Sequence, residues 1–274
     1  MKAALLQITS SDDPSQNARD VAALAREAAE TADIIFTPEV TNCVSLSRRH
    51  QQEVLRDEGD DETLAMLREV ARETGTFIHI GSLALLGGAE DRFLNRGFVI
   101  DRGGDVTLRY DKIHMFDVAI SAEETFKESA AFAPGDCAAL TDLGEAKLGT
   151  TICYDLRFAH LFRRLAKAGA DIIAVPAAFS PETGRAHWET LLRARAIETG
   201  CYIVAAAQTG THEGGGEKKR KTWGHSMVVD SWGKIVAQLG DEPSVLQIDL
   251  DLSLVTKSRA RVPSLTHDRA FEGP

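Results

Sequence analysis

Two short stretches decide the fold: residues 32–40 read ADIIFTPEV, and residues 170–178 read ADIIAVPAA. In each, an apolar and β-branched run follows an Asp and ends at a Pro. A continuous run of this kind is typical of a strand that is buried on both faces. Glu39 follows the proline of the first copy, whereas an alanine stands at the matching position of the second. The repeat predicts two similar units, of which only one carries a carboxylate at this point.

The elements around the two stretches come in the same order in both halves of the chain. Apolar runs, helical spacing and Gly-rich turns predict, in the first half, a strand over residues 2–8, a helix, the strand ADIIFTP, a helix near 61–74, the strand TFIHIGSL and a hairpin with an RGGD turn. They predict, in the second half, the strand AKLGTTICY, a helix over 159–168, the strand ADIIAVP, a helix over 187–199, the strand CYIVAAAQ and a hairpin around SWGK.

Each half therefore has the order β-α-β-α-β plus a hairpin. Alternating strands and helices predict mixed sheets with helices outside them, in the α/β class. Two such units stack most simply sheet on sheet, which gives a four-layer α-β-β-α sandwich. No Pro/Ser-rich linker separates the halves, so we expect one domain over residues 1–274. Its polar end, from about residue 251 to 274, is expected either to form an arm that reaches over a partner subunit or to fray.

Composition excludes several classes of function. The net charge of −10 over 274 residues disfavours nucleic acid or an anionic membrane as a partner. The N-terminus lacks a basic-then-apolar signal, and no apolar run approaches the roughly 20 residues of a membrane span. The four cysteines lie far apart without a CxxC, and the eight histidines form no H-x-x-x-H. We therefore expect a cytoplasmic protein with no disulfide framework and no metal site.

Cys153 is a candidate nucleophile. It follows the apolar strand KLGTTI and precedes YDLRF, which is expected to open a helix. A strand-to-helix turn exposes a side chain at the carboxyl edge of a sheet, where the field of the helix N-terminus lowers the pKa of a thiol. The alternative for a single cysteine after a β-run is a small buried hydrophobe.

Glu39 and Lys112 are candidate partners. Glu39 sits just past the end of a buried strand, where partial desolvation is expected to raise its pKa toward that of a useful general base. Lys112 lies in RYDKIHMFD at the far end of the first hairpin and would supply positive charge to an oxyanion. The alternative for Glu39 is a solvent-facing acid at the start of a helix or loop, and the alternative for Lys112 is a solvated loop lysine.

Taken together, PE at residues 38–39, DKIHMFD around Lys112 and TICYDLRF around Cys153 resemble the Glu–Lys–Cys signature of the nitrilase superfamily of carbon–nitrogen hydrolases. The resemblance covers nearly the whole chain. It implies the α-β-β-α sandwich and a homodimer whose interface includes the 187–199 helix and the C-terminal arm. It also implies a second glutamate beside the lysine, which matches Glu128 in FKESAAFAPGD. The alternative for Glu128 is a solvated acid in a stretch that also holds Glu123 and Glu124.

Within the superfamily, GRAHWETLLRARAIETGCYIVAAAQTG and WGHSMVVDSWGKIVA resemble the branch of deaminated-glutathione amidases and ω-amidases. The chain departs from that branch in a longer, glycine-rich and basic loop over residues 214–221. The basic residues 218–221 of this loop are expected to favour the additional carboxylate of a longer leaving group, and a flexible surface loop is the alternative. For a small acid as substrate, Arg157 is expected to pair with a carboxylate, with Thr183 and Phe179 beside it in the loop FSPETG. An internal ion pair of Arg157 with Asp155 or another acid is the alternative.

The resemblance implies amide hydrolysis through a thioester and without a cofactor. Cys153 attacks the carbonyl, Glu39 moves protons, and Lys112 with the backbone N–H of Tyr154 stabilises the oxyanion. The expected reaction converts deaminated glutathione to 2-oxoglutarate and cysteinylglycine. The alternatives are an ω-amidase acting on 2-oxoglutaramate, an N-carbamoyl amino acid amidohydrolase and, from another class, a non-catalytic scaffold with the same fold.

Overall fold

The fold is described from a computed structural model, which covers residues 1–119, 125–214 and 219–273. Within these ranges the chain forms sixteen strands and six α-helices. The strands are β1 (Lys2–Gln7), β2 (Ile34–Phe36), β3 (Phe77–Leu85), β4 (Leu94–Ile100), β5 (Val106–Asp111), β6 (Asp117–Ala119), β7 (Thr125–Lys127), β8 (Ala139–Asp142), β9 (Lys147–Thr150), β10 (Ile172–Ala174), β11 (Tyr202–Ala205), β12 (Thr209–Thr211), β13 (Lys221–Trp223), β14 (Met227–Val229), β15 (Ile235–Gln238) and β16 (Ser244–Asp249). The helices are α1 (Pro14–Ala29), α2 (Arg48–Val54), α3 (Glu62–Thr74), α4 (Ala159–Lys167), α5 (Pro181–Thr199) and α6 (Ser253–Arg261).

Two six-stranded sheets repeat one arrangement. The first has the order β16-β1-β2-β3-β4-β5, and the second has the order β15-β14-β11-β10-β9-β8. Strands β1, β2 and β3 run parallel, as do β9, β10 and β11. The remaining strands pair antiparallel on both sides of each parallel trio. The predicted pair of similar α/β halves is confirmed.

The two ADII stretches form β2 and β10, which lie within these parallel trios. Ile34 and Phe36 point into the core between the two sheets, whereas Ile35 packs in the core beneath α1 and α3. Ile172 of β10 is flanked by Leu148 of β9 and Tyr202 of β11. Because both faces of these strands are covered, each position is apolar and the sequence shows no alternation.

Helices cover the outer face of each sheet. Val21 of α1 and Leu67 of α3 share a core with the first sheet, and α4 and α5 pack on the second. The side chain of Asp61 caps α3 by accepting a hydrogen bond from the N–H of Leu64, at 2.8 Å, which satisfies one of the free donors of the first turn. The four-layer α-β-β-α sandwich is confirmed. No helix in the described ranges is long and apolar enough to cross a membrane.

The structure differs from the sequence-based expectation at several places; α2 and β8, for example, were not predicted. The helix predicted over 187–199 begins at Pro181, because Ser180 caps it and Pro181 suits the first helical position. Strand β16 was not predicted, and it pairs along its whole length with β1. The first part of the expected arm is α6, which buries Val255 and packs on its own chain rather than extending away.

Candidate active site

Three elements bring the predicted reactive groups to one edge of the sandwich. Glu39 lies shortly after β2, Lys112 directly follows β5, and Cys153 lies shortly after β9. All three side chains line one cavity of about 300 Å³, together with Glu128. Because the carboxyl ends of these strands meet at the same edge, residues far apart in sequence become neighbours.

Lys112 lies at the centre of the cluster. Its Nζ is 2.8 Å from Oε1 of Glu39 and 2.9 Å from each carboxylate oxygen of Glu128. Only 2% of the lysine side chain is exposed. Burial by itself would lower the pKa of Lys112, but the charges of Glu128 and Glu39 raise that pKa well above its ordinary value. The ammonium group therefore stays charged at any pH at which the protein works.

Both oxygens of Glu39 are fixed. Oε1 also accepts a hydrogen bond from Nδ2 of Asn95 at 3.0 Å, and Oε2 accepts one from the N–H of Ala178 at 2.9 Å. Burial alone would raise the pKa of Glu39, but the charge of Lys112 and hydrogen bonds from Cys153 and Lys112 outweigh burial and lower it. The prediction of a raised pKa is therefore wrong, because the carboxylate is buried against a cation. Glu39 is ionised and ready to accept a proton.

Cys153 sits on a strained turn. Its φ of 52° lies in the left-handed region that non-glycine residues rarely adopt. Its N–H donates to the carbonyl of Pro176 at 2.8 Å, which holds the turn against the loop after β10. The turn opens a short 3₁₀ helix, Cys153–Arg157, rather than an α-helix.

Burial, followed by the charge of Glu39, raises the pKa of the Cys153 thiol well above its ordinary value, and Lys112 only partly opposes this. The prediction of a lowered pKa is wrong, because a single 3₁₀ turn offers a weak field and the thiol is enclosed beside a carboxylate. The resting site therefore pairs a neutral thiol with an ionised glutamate. A thiol in this state becomes nucleophilic as its proton passes to the adjacent base.

Asp155 ties the turn of the nucleophile to the segment after Lys112. Its Oδ2 accepts hydrogen bonds from the N–H of Ile152 at 2.9 Å and from the hydroxyl of Tyr110 at 2.6 Å. Its Oδ1 accepts one from the N–H of His114 at 3.1 Å and lies 2.6 Å from Nδ1 of that ring. Asp155 is fully buried, so it acts as an internal anchor and is not the ion-pair partner of Arg157.

Glu128 and Asn95 complete the polar cluster. Oε2 of Glu128 accepts a hydrogen bond from the N–H of Phe116 at 2.6 Å, so this carboxylate is held inside the site rather than solvated. Nδ2 of Asn95 lies 3.3 Å from Oε1 of Glu128 and thus bridges both glutamates. The sequence analysis did not identify Asn95, and its one signal is a polar residue inside the strand LNRGFVI. The residues Glu123 and Glu124 lie outside the described ranges.

The predicted substrate-binding residues separate into two groups. Tyr154, Phe179 and Thr183 line the cavity. The hydroxyl of Thr183 lies 3.1 Å from that of Ser180. Arg157 is not among the lining residues: its guanidinium carbon lies 5.7 Å from the ring centroids of both Tyr154 and Phe179. Arg157 thus contacts the rings that form the wall of the cavity.

Other cations line the cavity where the sequence analysis placed Arg157. They are Arg48, Lys127, Arg220 and Lys221. The last two belong to the basic loop over 214–221, of which residues 215–218 lie outside the described ranges. In the part of the chain that the structure covers, no group of three or more His, Cys, Asp or Glu side chains could hold a metal ion.

The geometry assembles the parts of an acyl-transfer site. A thiol lies beside a general base, and a buried ammonium provides fixed positive charge. The N–H of Tyr154 lies in the first turn of the 3₁₀ helix, where backbone donors have no intrahelical acceptor. These parts suit attack on a carbonyl carbon with stabilisation of the oxyanion.

This fold and this site define a class of protein. The family profile described as carbon-nitrogen hydrolase matches residues 2–260, and the chain belongs to that family. The nitrilase-superfamily resemblance seen in the sequence is confirmed, and the protein is an enzyme of the amidase type.

The chain is also similar to individual proteins and structures of this family. The chain is 39% identical to the deaminated glutathione amidase of Yersinia enterocolitica over 270 residues, which are 97% of this chain and 92% of that protein. It is 37% identical to the deaminated glutathione amidase of Homo sapiens over 273 residues, 97% of this chain and 81% of that protein. The crystal structure of the C. elegans NitFhit protein superposes with a TM-score of 0.87 at 35% identity, covering 98% of this chain and 65% of that one.

Proposed function

We propose that the protein hydrolyses deaminated glutathione to 2-oxoglutarate and cysteinylglycine, through a thioester on Cys153. The observation that carries the chemistry is the buried cluster in which Lys112 binds Glu39 and Glu128 at 2.8–2.9 Å beside the thiol. The substrate is supported by the relatives named deaminated glutathione amidase, which align with nearly the whole chain.

The first half-reaction forms the acyl-enzyme. Glu39 accepts the thiol proton while Sγ of Cys153 bonds to the amide carbon, and the negative charge moves to the carbonyl oxygen. Lys112 and the N–H of Tyr154 stabilise that oxygen. Glu39 then gives its proton to the leaving nitrogen, and the C–N bond breaks to release the amine.

The second half-reaction regenerates the enzyme. Glu39 takes a proton from water, which attacks the thioester carbon, and the C–S bond breaks as the acid forms. The proton returns to sulfur. Lys112 remains an ammonium throughout because its pKa is raised, and Glu128 holds it in place.

The residue assignment is tested with Cys153→Ala. Loss of a catalytic group of this kind lowers turnover by about 10²–10⁴-fold or more, so we expect no measurable hydrolysis. Cys201→Ala is the matched control, since Cys201 is also buried but does not line the cavity. Alkylation adds a second readout: substrate should protect Cys153 from iodoacetamide, whereas the exposed Cys137 should be labelled with or without substrate. Activity retained by Cys153→Ala would refute the nucleophile.

The substrate assignment is tested by comparing amides on one preparation. We expect the highest kcat/KM for deaminated glutathione, and lower values for 2-oxoglutaramate and for an N-carbamoyl amino acid. A preference for 2-oxoglutaramate would make the protein an ω-amidase, which uses the same acyl group with ammonia as the leaving group.

We also propose a homodimer of single hydrolase domains, each comprising residues 1–274. Exposed apolar side chains lie on α5, on the β14–β15 turn and just after α6: Ile197, Trp232 and Val262. Nε of Arg193 donates to the carbonyl of Gly233 at 2.9 Å, which joins α5 to that turn. Light scattering is expected to give twice the chain mass, and a monomer with full activity at micromolar concentration would contradict this.

The four free cysteines suit a cytoplasmic location, which we propose as well.

A further inference from the structure

Arg220 is a cation of the cavity wall that the proposed reaction does not use. It lies at the loop end of the β12–β13 hairpin, directly before β13, where the N–H of His212 donates to the carbonyl of Arg220 at 2.9 Å. The N–H of Trp223 donates to the carbonyl of Phe179 at 2.9 Å and fastens the hairpin to the loop after β10. The backbone of Arg220 is therefore held against the active site.

The guanidinium of Arg220 has spare donors and, among the residues that the structure describes, no carboxylate partner. Nη2 donates to the carbonyl of Ala178 at 2.9 Å, which uses one of five N–H groups. Across the described residues, no carboxylate oxygen lies within 4.0 Å of it. Arg48, on the same wall, also has no carboxylate within 4.0 Å among the described residues, but both of its Nη atoms donate to backbone carbonyls, of Ala130 and Asp91. A half-buried guanidinium in this state is suited to an anionic ligand.

The position of Arg220 relates it to one end of the substrate. Glu39 must deliver a proton to the leaving nitrogen, so that nitrogen lies within hydrogen-bond reach of the Glu39 carboxylate. The N–H of Ala178 holds Oε2 of Glu39, and the carbonyl of the same residue holds Arg220. Ala178 thus links Glu39, which gives the proton to the leaving group, to the guanidinium of Arg220.

We propose that Arg220 binds the carboxylate of the amine that leaves, and so selects amides of amino acids or peptides over primary amides. This rests on the proposed function and assigns one residue to the recognition of the leaving group. The residue that binds a carboxylate on the leaving-group side is then Arg220 and not Arg157.

The test uses three substrates with the same acyl group: deaminated glutathione, its C-terminal carboxamide and 2-oxoglutaramate. Arg220→Gln keeps an N–H donor for the carbonyl of Ala178 but removes the charge. We expect this variant to lower kcat/KM for deaminated glutathione by about 10–100-fold, the range for a lost charge-assisted hydrogen bond. For the two substrates without a leaving-group carboxylate, the loss should stay within about threefold. An equal loss on all three, or no loss on any, would overturn the proposal.

Controls separate this proposal from folding and from the proposed function. Arg185→Gln is the matched variant, because Arg185 is an exposed arginine that lies over the ring of Trp223 and does not line the cavity. It should behave as the wild type. Arg220→Lys keeps the charge and should recover part of the preference; it also carries the test if Arg220→Gln does not fold. If the wild type fails to hydrolyse deaminated glutathione, the proposed function fails. If the wild type hydrolyses it and Arg220→Gln keeps the same preference, this inference alone fails.

Discussion

Replacing Lys112 by methionine would remove the charge between two buried glutamates while keeping most of the side-chain volume. Because the lysine is almost completely buried, solvent does not screen the loss. Removing one partner of a buried pair typically costs about 3–5 kcal/mol of unfolding free energy. We expect a loss in that range, together with a fall in kcat of about 10²–10⁴-fold from the missing oxyanion cation.

The pH dependence gives the sharper test of Lys112→Met. In the wild type the pKa of Glu39 is lowered, so its ionised form stabilises the fold above the unfolded pKa, and this contribution is lost as the pH falls through the folded pKa. In the variant the charge and the hydrogen bond of Lys112 are lost, while burial and the remaining hydrogen bonds persist, so the pKa of Glu39 lies above its wild-type value. The variant therefore regains stability relative to the wild type as the pH falls, and the difference should be smaller at about pH 5 than at about pH 8.

The assay is urea unfolding of both proteins at the two pH values. Lys147→Met, on an exposed lysine, is the control and should change stability by less than about 0.5 kcal/mol. The double variant Lys112→Met, Glu128→Gln should regain part of the lost stability and none of the activity, since one buried carboxylate is gone. A destabilisation below about 1 kcal/mol, or an equal one at both pH values, would refute the account of the cluster.

Two further predictions concern the same groups. The pKa of Glu39 is lowered from 4.5 and that of Cys153 is raised, so kcat/KM should stay flat through neutral pH and fall only below about pH 4.5. A pH–rate profile with an acid limb centred near neutrality would contradict this. Asn95→Ala removes the hydrogen bonds that bridge Glu39 and Glu128, so kcat should fall by about 10-fold or more while KM changes little. If steady-state kinetics show a change in KM alone, Asn95 acts in substrate binding instead.

The layers of the fold could be predicted from the sequence because the strands at the centre of each sheet are buried on both faces. The strands in residues 32–40 and 170–178 are therefore continuous apolar runs, which could be recognised from the sequence. Strand β16 reads SVLQID, with exposed and half-buried positions, and it pairs with a strand at the other end of the chain. Neither local composition nor periodicity marks such an edge strand, so its place could not be predicted.

The site could be predicted in part, for a similar reason. Cys153, Glu39 and Lys112 each follow a strand that could be recognised from the sequence, and the carboxyl ends of these strands meet at one edge of the sandwich. The directions of the pKa shifts were wrong because each depends on a neighbour brought in by tertiary packing. Asn95 acts through hydrogen bonds to two residues that are distant in sequence, and no sequence pattern indicates such contacts. The sequence analysis linked the basic residues 218–221 to a carboxylate of the leaving group, but only the hydrogen bond of Arg220 to the carbonyl of Ala178, on a different loop, singles out one of them.

The pairing of β1 with β16 has a consequence for how the chain is made. Lys2 lies opposite Asp249, and the N–H of Leu250 donates to the carbonyl of Met1 at 2.8 Å. On the ribosome, the first half of the polypeptide emerges with every strand of its sheet except this one. Until β16 has been translated, β1 presents a row of unpaired donors and acceptors, the kind of edge that recruits other chains. Nascent chains are thus exposed to misassembly for most of synthesis, and sequence separation this large slows closure of the sheet after release.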